Sequence, residues 1–317
     1  MCEGADIEDD TARWLSGDPD RDFSMSRCAT CGTVFVDPVP SADVLDAAYP
    51  DDFYGKRRSD SERIEEWFLS RRVRLCGPLA GRSVLDVGSG DGKFLRRALA
   101  AGAARATGVE PSANGRMLAA DASIRSVSDV GELDPDDRYD LVTLWQVFEH
   151  VPDPRRLGRA VVERVAPGGR LLLSLPNVES FEAERFGGDW FHLDVPRHLV
   201  FPPSRTLRTM FEGLGVRHVE TVAFSAEYGP YGLMQSMLNR IGKRHNALYH
   251  RLKRKQPLSA YDGRGKAEVV LGLAALPVLG TASVIGTAAL ARRGRAGTYT
   301  AIFERPSLVS TPLRLKL

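Results

Sequence analysis

Between Ser83 and Ala223 short runs of apolar and β-branched residues alternate with stretches whose apolar positions recur every three to four residues. The short runs predict strands at Ser83–Val87, Arg105–Val109, Ile124–Val127, 139–144, 170–175 and 216–223. The longer stretches predict helices at 93–101, 113–120, 154–165 and 204–212, preceded by a leading helix at 61–75 that keeps Ile64, Trp67, Phe68, Arg71 and Leu75 on one side. Punctuation agrees with these elements. Asp153 before Pro154 is a helix N-cap with proline at the first helical position, Pro167-Gly168-Gly169 stops that helix, and Pro203-Ser204 starts a later one. Strands alternating with helices predict a doubly wound α/β fold built on a parallel sheet.

Thr298–Glu304 reads as a last strand, separated from the strand at 216–223 by a long, mostly helical insertion. Within the insertion, Val269 to Ala291 carries no charge, and its length of about 23 residues exceeds the roughly 20 that cross a bilayer. Pro277, three glycines and many alanines weaken its hydrophobicity, and a spanning helix would part the last strand from its sheet. The stretch can span a membrane, lie on one, or pack as a buried helical hairpin.

Composition narrows the class. The 317 residues make about two domains' worth of chain, and 43% hydrophobic with 26% charged residues is an ordinary globular balance. Lys plus Arg (43) against Asp plus Glu (41) leaves a formal charge of +2, so nucleic acid is not expected as a partner. The charge is unevenly spread. Residues 1–22 are acid-rich, whereas Arg240, Lys243, Arg244, Arg251, Lys253, Arg254 and Lys255 form a basic run without an acid. Four scattered cysteines fit a reducing cytoplasm better than a stapled secreted domain, and the acidic N-terminus does not read as a signal peptide.

The first strand runs into Asp86-Val87-Gly88-Ser89-Gly90-Asp91-Gly92-Lys93, a glycine-rich turn that opens a helix. A dinucleotide-binding spacing from Gly88 requires glycine at 93, where Lys93 stands, and Asp86 precedes the turn. Both features argue against a nicotinamide cofactor. Glu110 ends the next strand, where a carboxylate can accept from two ribose hydroxyls. Asp86-x-Gly88-x-Gly90 resembles the first motif of class I S-adenosylmethionine-dependent methyltransferases, which have a seven-stranded Rossmann-like sheet. The resemblance implies that Asp86, Gly88, Gly90 and Glu110 hold S-adenosylmethionine, with Asp129 beside its adenine.

The segment from Tyr139 to Pro154, containing Gln146-Val-Phe-Glu149-His150-Val-Pro-Asp-Pro, resembles the Glu-His-Val-x-Asp-Pro motif of the ubiquinone-biosynthesis O-methyltransferases. The likeness covers roughly residues 60 to 225. It places Gln146 and His150 near the methyl donor, and an imidazole there can take the proton an acceptor loses, making His150 the first candidate base. The same relatives hold a divalent metal with acids and this histidine; here Gln146 replaces the first acid, leaving Glu149 and His150.

Phe186 to Leu199, with Trp190, His192, Asp194, Arg197 and His198, resembles the W-x-x-x-D-x-P-x-H stretch of one branch of these enzymes. It reads as the acceptor loop: Trp190 as an apolar wall, Asp194 and Arg197 as polar contacts, His192 and His198 as alternative bases. An internal Arg197–Asp194 pair is the structural alternative. Cys28-Ala-Thr-Cys31 resembles the second knuckle of a zinc ribbon that precedes this branch, with Cys2 as the tail of the first. No fourth cysteine and no histidine accompanies them, whereas structural zinc takes four ligands.

The sequence therefore predicts a zinc-ribbon-like region at 1–58, a methyltransferase core at 59–225, a helical insertion at 226–296 and the last core strand with its tail at 297–317. The expected function is methyl transfer from S-adenosylmethionine to an oxygen, nitrogen or carbon of a small-molecule or lipid-linked glycan acceptor. The protein is expected in the cytoplasm, with residues 239–291 available for peripheral membrane contact. A non-methylating, cofactor-binding membrane scaffold is the alternative.

Overall fold

The computed structural model describes residues 6–15, 23–49, 62–242, 245–253 and 257–307. The N-terminal region contains β1 (Ile7–Asp9), α1 (Thr11–Trp14), β2 (Met25–Cys28), β3 (Val34–Val36) and α2 (Ala42–Ala47). The core opens with α3 (Glu62–Cys76), β4 (Ser83–Val87), α4 (Lys93–Ala100), β5 (Arg105–Val109), α5 (Ala113–Ala119) and β6 (Ile124–Val127). It continues through β7 (Tyr139–Trp145), α6 (Pro154–Glu163), β8 (Val165–Pro176), α7 (Phe181–Phe186), β9 (Val200–Phe201), α8 (Ser204–Gly213) and β10 (Arg217–Val222). The insertion follows as α9 (Gly229–Ile241), α10 (Ala247–Lys253) and α11 (Gly263–Ala291), and β11 (Thr298–Glu304) returns to the core.

Seven strands form one sheet in the order β10-β11-β8-β7-β4-β5-β6. β4 to β8 run parallel, and β11 enters antiparallel between β8 and β10. Alternating side chains divide the strands between two cores. Leu85, Val87, Val142, Leu144, Leu171, Leu173, Ala301 and Phe303 face α6 and α8, meeting Val161, Leu207 and Phe211. The intervening Val84, Leu141, Leu172 and Ile302 face α3 and α4, meeting Leu69, Phe94, Leu95 and Ala98.

A second sheet, β1-β2-β3-β9, joins the N-terminal region to the segment after β8. Its core of Trp14, Met25, Val34, Val36, Trp190, Leu199 and Phe201 is shared between the two. Residues 58 and 59, where the sequence divides N-terminal region from core, lie outside the described residues, as does Cys2.

In the insertion the helix packing is between α9 and α11, and no hairpin forms within 269–291. The whole of Gly263–Ala291 is one helix that passes through Pro277. Small residues let it close on its neighbours: a Cβ at Gly229 would fall 2.5 Å from Thr287, and Gly286 lies against Leu233. The buried line Val269, Gly272, Ser283 and Thr287 faces inward. The opposite line, Leu271, Val278 and Ile285, recurs every seven residues and is exposed, with Val270 and Val284 beside it. Among the described residues this helix alone is long and apolar enough to cross a membrane, and only 17% of its most apolar stretch is buried.

Burial, not hydrophobicity, decides which of these side chains stabilise the fold. Phe303 is fully buried against Phe211, so Phe303→Ala is expected to cost about 3–5 kcal/mol in urea denaturation. Ile285 is 67% exposed, and Ile285→Ala is expected to stay within about 0.5 kcal/mol of the unaltered protein.

Candidate functional site

Helical connections leave β4 in one direction and β7 in the other, so a crevice opens at the carboxyl ends of these neighbouring strands. The turn after β4 holds Gly88, Gly90 and Gly92 at φ of +72°, +53° and +73°, the region open to glycine. Gly88 is also sterically required, because a Cβ there would stand 2.4 Å from Val147 Cγ2. The amides of Gly88 and Ser89 donate to the Val109 carbonyl at 2.7 and 3.1 Å, fixing the turn to the end of β5.

Glu110 closes the same corner. Its buried carboxylate accepts from the Gly90 amide at 2.8 Å and the Ser112 amide at 2.9 Å. Asp86 has a different setting. It lies within the sheet opposite Thr143, whose hydroxyl donates to it at 2.6 Å, and burial pushes its carboxyl up to about 7 against that hydrogen bond. Asp129 is exposed at the end of β6 and accepts from the Gly131 amide at 2.7 Å. Gln146 takes a left-handed φ of +55° just beyond β7, and its side-chain amide donates to Ser174 at 3.2 Å. A glycine turn without a Cβ at 88, beside the Glu110 carboxylate, fits an adenosyl donor approaching the backbone.

Beyond Gln146 a short 3₁₀ turn, Phe148–His150, directs Glu149 and His150 inward. His150 Nδ1 is 2.9 Å from the Arg197 carbonyl and 2.9 Å from the Tyr49 hydroxyl. His198 Nδ1 is 2.7 Å from the His192 carbonyl. A carbonyl can only accept, which assigns the proton of each ring to Nδ1 and leaves each Nε2 with its lone pair. The two rings stack edge to face at 4.5 Å. Glu149, His150 and His198 each offer a ligand atom within 4.8 Å of the others. Glu149 is fully buried, and among the described residues neither carboxylate oxygen has a hydrogen-bond partner.

Burial sets the charge state of this cluster. It lowers His150 to about 3, with the neighbouring His198 adding to the effect, and lowers His198 to about 4. The same cause raises the Glu149 carboxyl to about 8. An orphaned carboxylate beside two imidazole lone pairs is also a donor set that fits a divalent cation.

The remaining acceptor-loop residues face elsewhere. Trp190 is fully buried among Trp14, Phe201 and His192, inside the N-terminal core, so it presents no wall to a substrate in this conformation. His192 is 3% exposed and its Nε2 points toward Gly232 of α9. Asp194 and Arg197 form an ion pair with one another, and burial is outweighed there by the guanidinium, which holds the Asp194 carboxyl far below its usual range. At the N-terminal knuckle Cys28 is buried and Cys31 half-buried, but among the described residues no third histidine, cysteine or acid joins them within ligand distance. Two thiols do not make a four-ligand zinc site, and no step is assigned to zinc.

Three features escape a reading by motif. Tyr49 reaches His150 from 101 residues away. Arg72 on α3 binds Glu227 at 2.7 Å and the Tyr228 hydroxyl at 2.8 Å while stacking under Trp145 at 5.2 Å. Around it, Phe68, Trp145, Ser174, Phe224 and Tyr228 line a cleft of about 120 Å³ at the carboxyl ends of β7 and β8. Only the aromatic content of these segments was visible beforehand, since the partners are far apart in sequence.

Residues 60–221 match the family model described as a methyltransferase domain. The chain belongs to the methyltransferase domain family. Its curated relatives include the ubiquinone biosynthesis O-methyltransferases of Aeromonas salmonicida, 34% identical over 44% of this chain and 65% of that one, and of Bordetella avium, 34% identical over 46% and 68%. The corresponding protein of Sodalis glossinidius is 37% identical over 33% of this chain and 45% of its own. The chain thus spans about half to two thirds of the length of these relatives. A Haemonchus contortus phosphoethanolamine N-methyltransferase 2, solved with phosphomonomethylethanolamine and S-adenosylhomocysteine, shares the fold at a TM-score of 0.54 and 16% identity, over 86% of this chain and 62% of that one. The seven-stranded sheet agrees with what the sequence predicts.

Because Gly88 is demanded by both its φ and Val147, Gly88→Ala is expected to weaken S-adenosylmethionine binding at least ~100-fold in calorimetry, with an unchanged circular dichroism spectrum. Adding Val147→Ala removes the clash but not the strained φ and is expected to restore affinity only in part. Unchanged affinity in Gly88→Ala would place the donor elsewhere.

Proposed function

We propose that the protein transfers the methyl group of S-adenosylmethionine to an oxygen, nitrogen or carbon nucleophile of a small-molecule or lipid-linked acceptor. The observation that carries this reading is the shared position of two features at the same crevice: the Gly88–Glu110 corner and the Glu149-His150-His198 cluster both lie beyond the carboxyl ends of β4, β5 and β7. Donor and proton acceptor are thereby presented to one substrate.

In-line attack forms the bond from acceptor to methyl carbon as the carbon–sulfur bond breaks, and the sulfonium becomes a neutral thioether. The proton released by the acceptor goes to His150 Nε2. This nitrogen is unprotonated at neutral pH because burial disfavours the imidazolium. Burial holds most of the Glu149 carboxyl protonated near neutrality, so only its ionised fraction is a counter-charge to the imidazolium that the transfer creates. Nδ1–H to the Arg197 carbonyl holds the ring in the required tautomer. A divalent cation would be held by Glu149, His150 and His198, and when bound it supplies Lewis-acid polarisation of an acceptor oxygen. The aromatic cleft around Trp145 and Tyr228 is the acceptor surface in this reading, with Arg72 and Glu227 as its polar floor.

The exposed line Leu271, Val278 and Ile285 supports a cytoplasmic protein resting on the inner membrane face. Arg264 and Lys266 before the line, and Arg292 and Arg293 after it, favour anionic headgroups.

Purified protein incubated in host extract with methyl-tritiated S-adenosylmethionine is expected to label a product that Glu110→Ala abolishes and that Glu149→Gln reduces about 100-fold without loss of donor binding. Label partitioning into organic solvent identifies a lipid-linked acceptor, and label in water identifies a soluble one. Donor binding with no transfer in any fraction, even with added cell membranes, would instead favour the non-methylating scaffold.

Sedimentation with vesicles of phosphatidylglycerol and phosphatidylethanolamine tests the surface separately. The unaltered protein is expected to pellet with them, and the combined Leu271→Ser, Val278→Ser and Ile285→Ser variant to remain largely in the supernatant. Equal sedimentation of the two would overturn the membrane role of α11.

A further inference from the structure

The inward face of α9 carries three buried polar side chains, Gln235, Ser236 and Asn239. A buried polar group costs free energy unless its hydrogen bonds are made, and apolar side chains would pack this helix without that demand. Here the bonds are made, and two of them go to the main chain of the loop that carries the histidines. Ser236 Oγ accepts from the Phe191 amide at 2.9 Å while donating to the Gly232 carbonyl at 2.8 Å. Asn239 Nδ2 donates to the Asp189 carbonyl at 3.0 Å, across 50 residues of sequence.

Asn239 is the hub of this network. A backbone amide can only donate, so the Asn246 amide at 2.8 Å identifies the oxygen of the Asn239 side chain, which also accepts from Gln235 Nε2 at 2.8 Å. Asn239 Nδ2 donates in addition to Asn246 Oδ1 at 2.9 Å. Asn246 in turn donates from Nδ2 to the Phe191 carbonyl at 3.3 Å. It does so at a φ of +58°, the left-handed region, which asparagine enters more readily than most side chains but still at a cost. Both main-chain groups of Phe191 are thus held by the insertion, and a satisfied buried network of this kind fixes one geometry.

Phe191 immediately precedes His192, whose ring closes against α9 at Gly232 and whose carbonyl is 2.7 Å from His198 Nδ1. We infer that Asn239, together with Asn246, is a positioning residue for His198. By holding the main chain at 189–191 the insertion aims the His192 carbonyl, which keeps the His198 proton on Nδ1 and its Nε2 lone pair in the acid-histidine cluster. The insertion is then part of the site, although it lies outside residues 60–221 that match the methyltransferase domain. Its effect on turnover rests on the methyl-transfer reading; its control of the His198 tautomer does not.

Ring-nitrogen NMR of full-length protein carrying isotope-labelled histidine tests this, with His198→Gln identifying the His198 signals among the six imidazoles. The unaltered protein is expected to show His198 as the Nδ1–H tautomer, and Asn239→Ala to show a mixture of both tautomers at the same pH. Asn246→Gly is expected to do likewise, and because glycine accepts the positive φ it removes the side-chain bonds without straining the turn. Methyl transfer by both variants is expected to fall at least ~10-fold in kcat with donor affinity unchanged. Leu233→Ala, which removes packing of α9 against Gly286 of α11, is expected to lower stability and leave the His198 signals in place. An Nε2–H tautomer in the unaltered protein, an unmoved His198 in both asparagine variants, or an equal displacement in Leu233→Ala overturns the inference. Displacement confined to the asparagine variants, in a protein that binds the donor but transfers no methyl group in any form, upholds the positioning of His198 and removes the methyl-transfer reading.

Discussion

The parallel pairing of β4 with β7 is the constraint on which the site depends. Both strands are covered on both faces, so their side chains are committed to two cores and none is left over along their length for chemistry. Function is thereby confined to the points where the chain leaves the sheet. At one such point the turn after β4 needs glycine and is fixed by Glu110; at the next, the turn after β7 delivers Glu149 and His150. Asp86 shows the limit of this logic, because its position in the strand makes it a partner of Thr143 across the sheet.

Burial gives the acid-histidine cluster its properties. In water a glutamate and two histidines near neutrality would exchange protons freely. Here loss of solvation holds the imidazoles neutral and presses the carboxyl toward its protonated form, while two backbone carbonyls choose the tautomers. In the methyl-transfer reading proposed above the cluster receives one positive charge, a proton or a cation, beside a Glu149 carboxyl that has no hydrogen-bond partner among the described residues.

The N-terminal region and the insertion both act on this cluster from outside the sheet. Tyr49 touches His150, β3 pairs with β9 just beyond His198, and α9 packs beside His192. The aromatic residues that resembled an acceptor wall are spent on that union: Trp190 joins Trp14 in a common core. The apolar face of α11 has no such partner within the described chain, and Leu271, Val278 and Ile285 remain exposed on it.

The sequence by itself determined the sheet, because alternation of period two, helix caps and proline or glycine punctuation are local signals that survive without the rest of the fold. All seven strands and five of the six helices from α3 to α8 fall within a few residues of the positions those signals predict; α7 was not among them, and β8 is longer, beginning at Val165. The glycine turn and Glu110 were legible for the same reason. Tertiary structure alone decided which polar residues meet. His198 joins Glu149 and His150, and Arg72 joins Glu227, only after distant segments are folded together. It also decided that Trp190 is core and that α11 is half exposed, since burial belongs to a residue's neighbours in space and hydrophobicity along the chain cannot assign it.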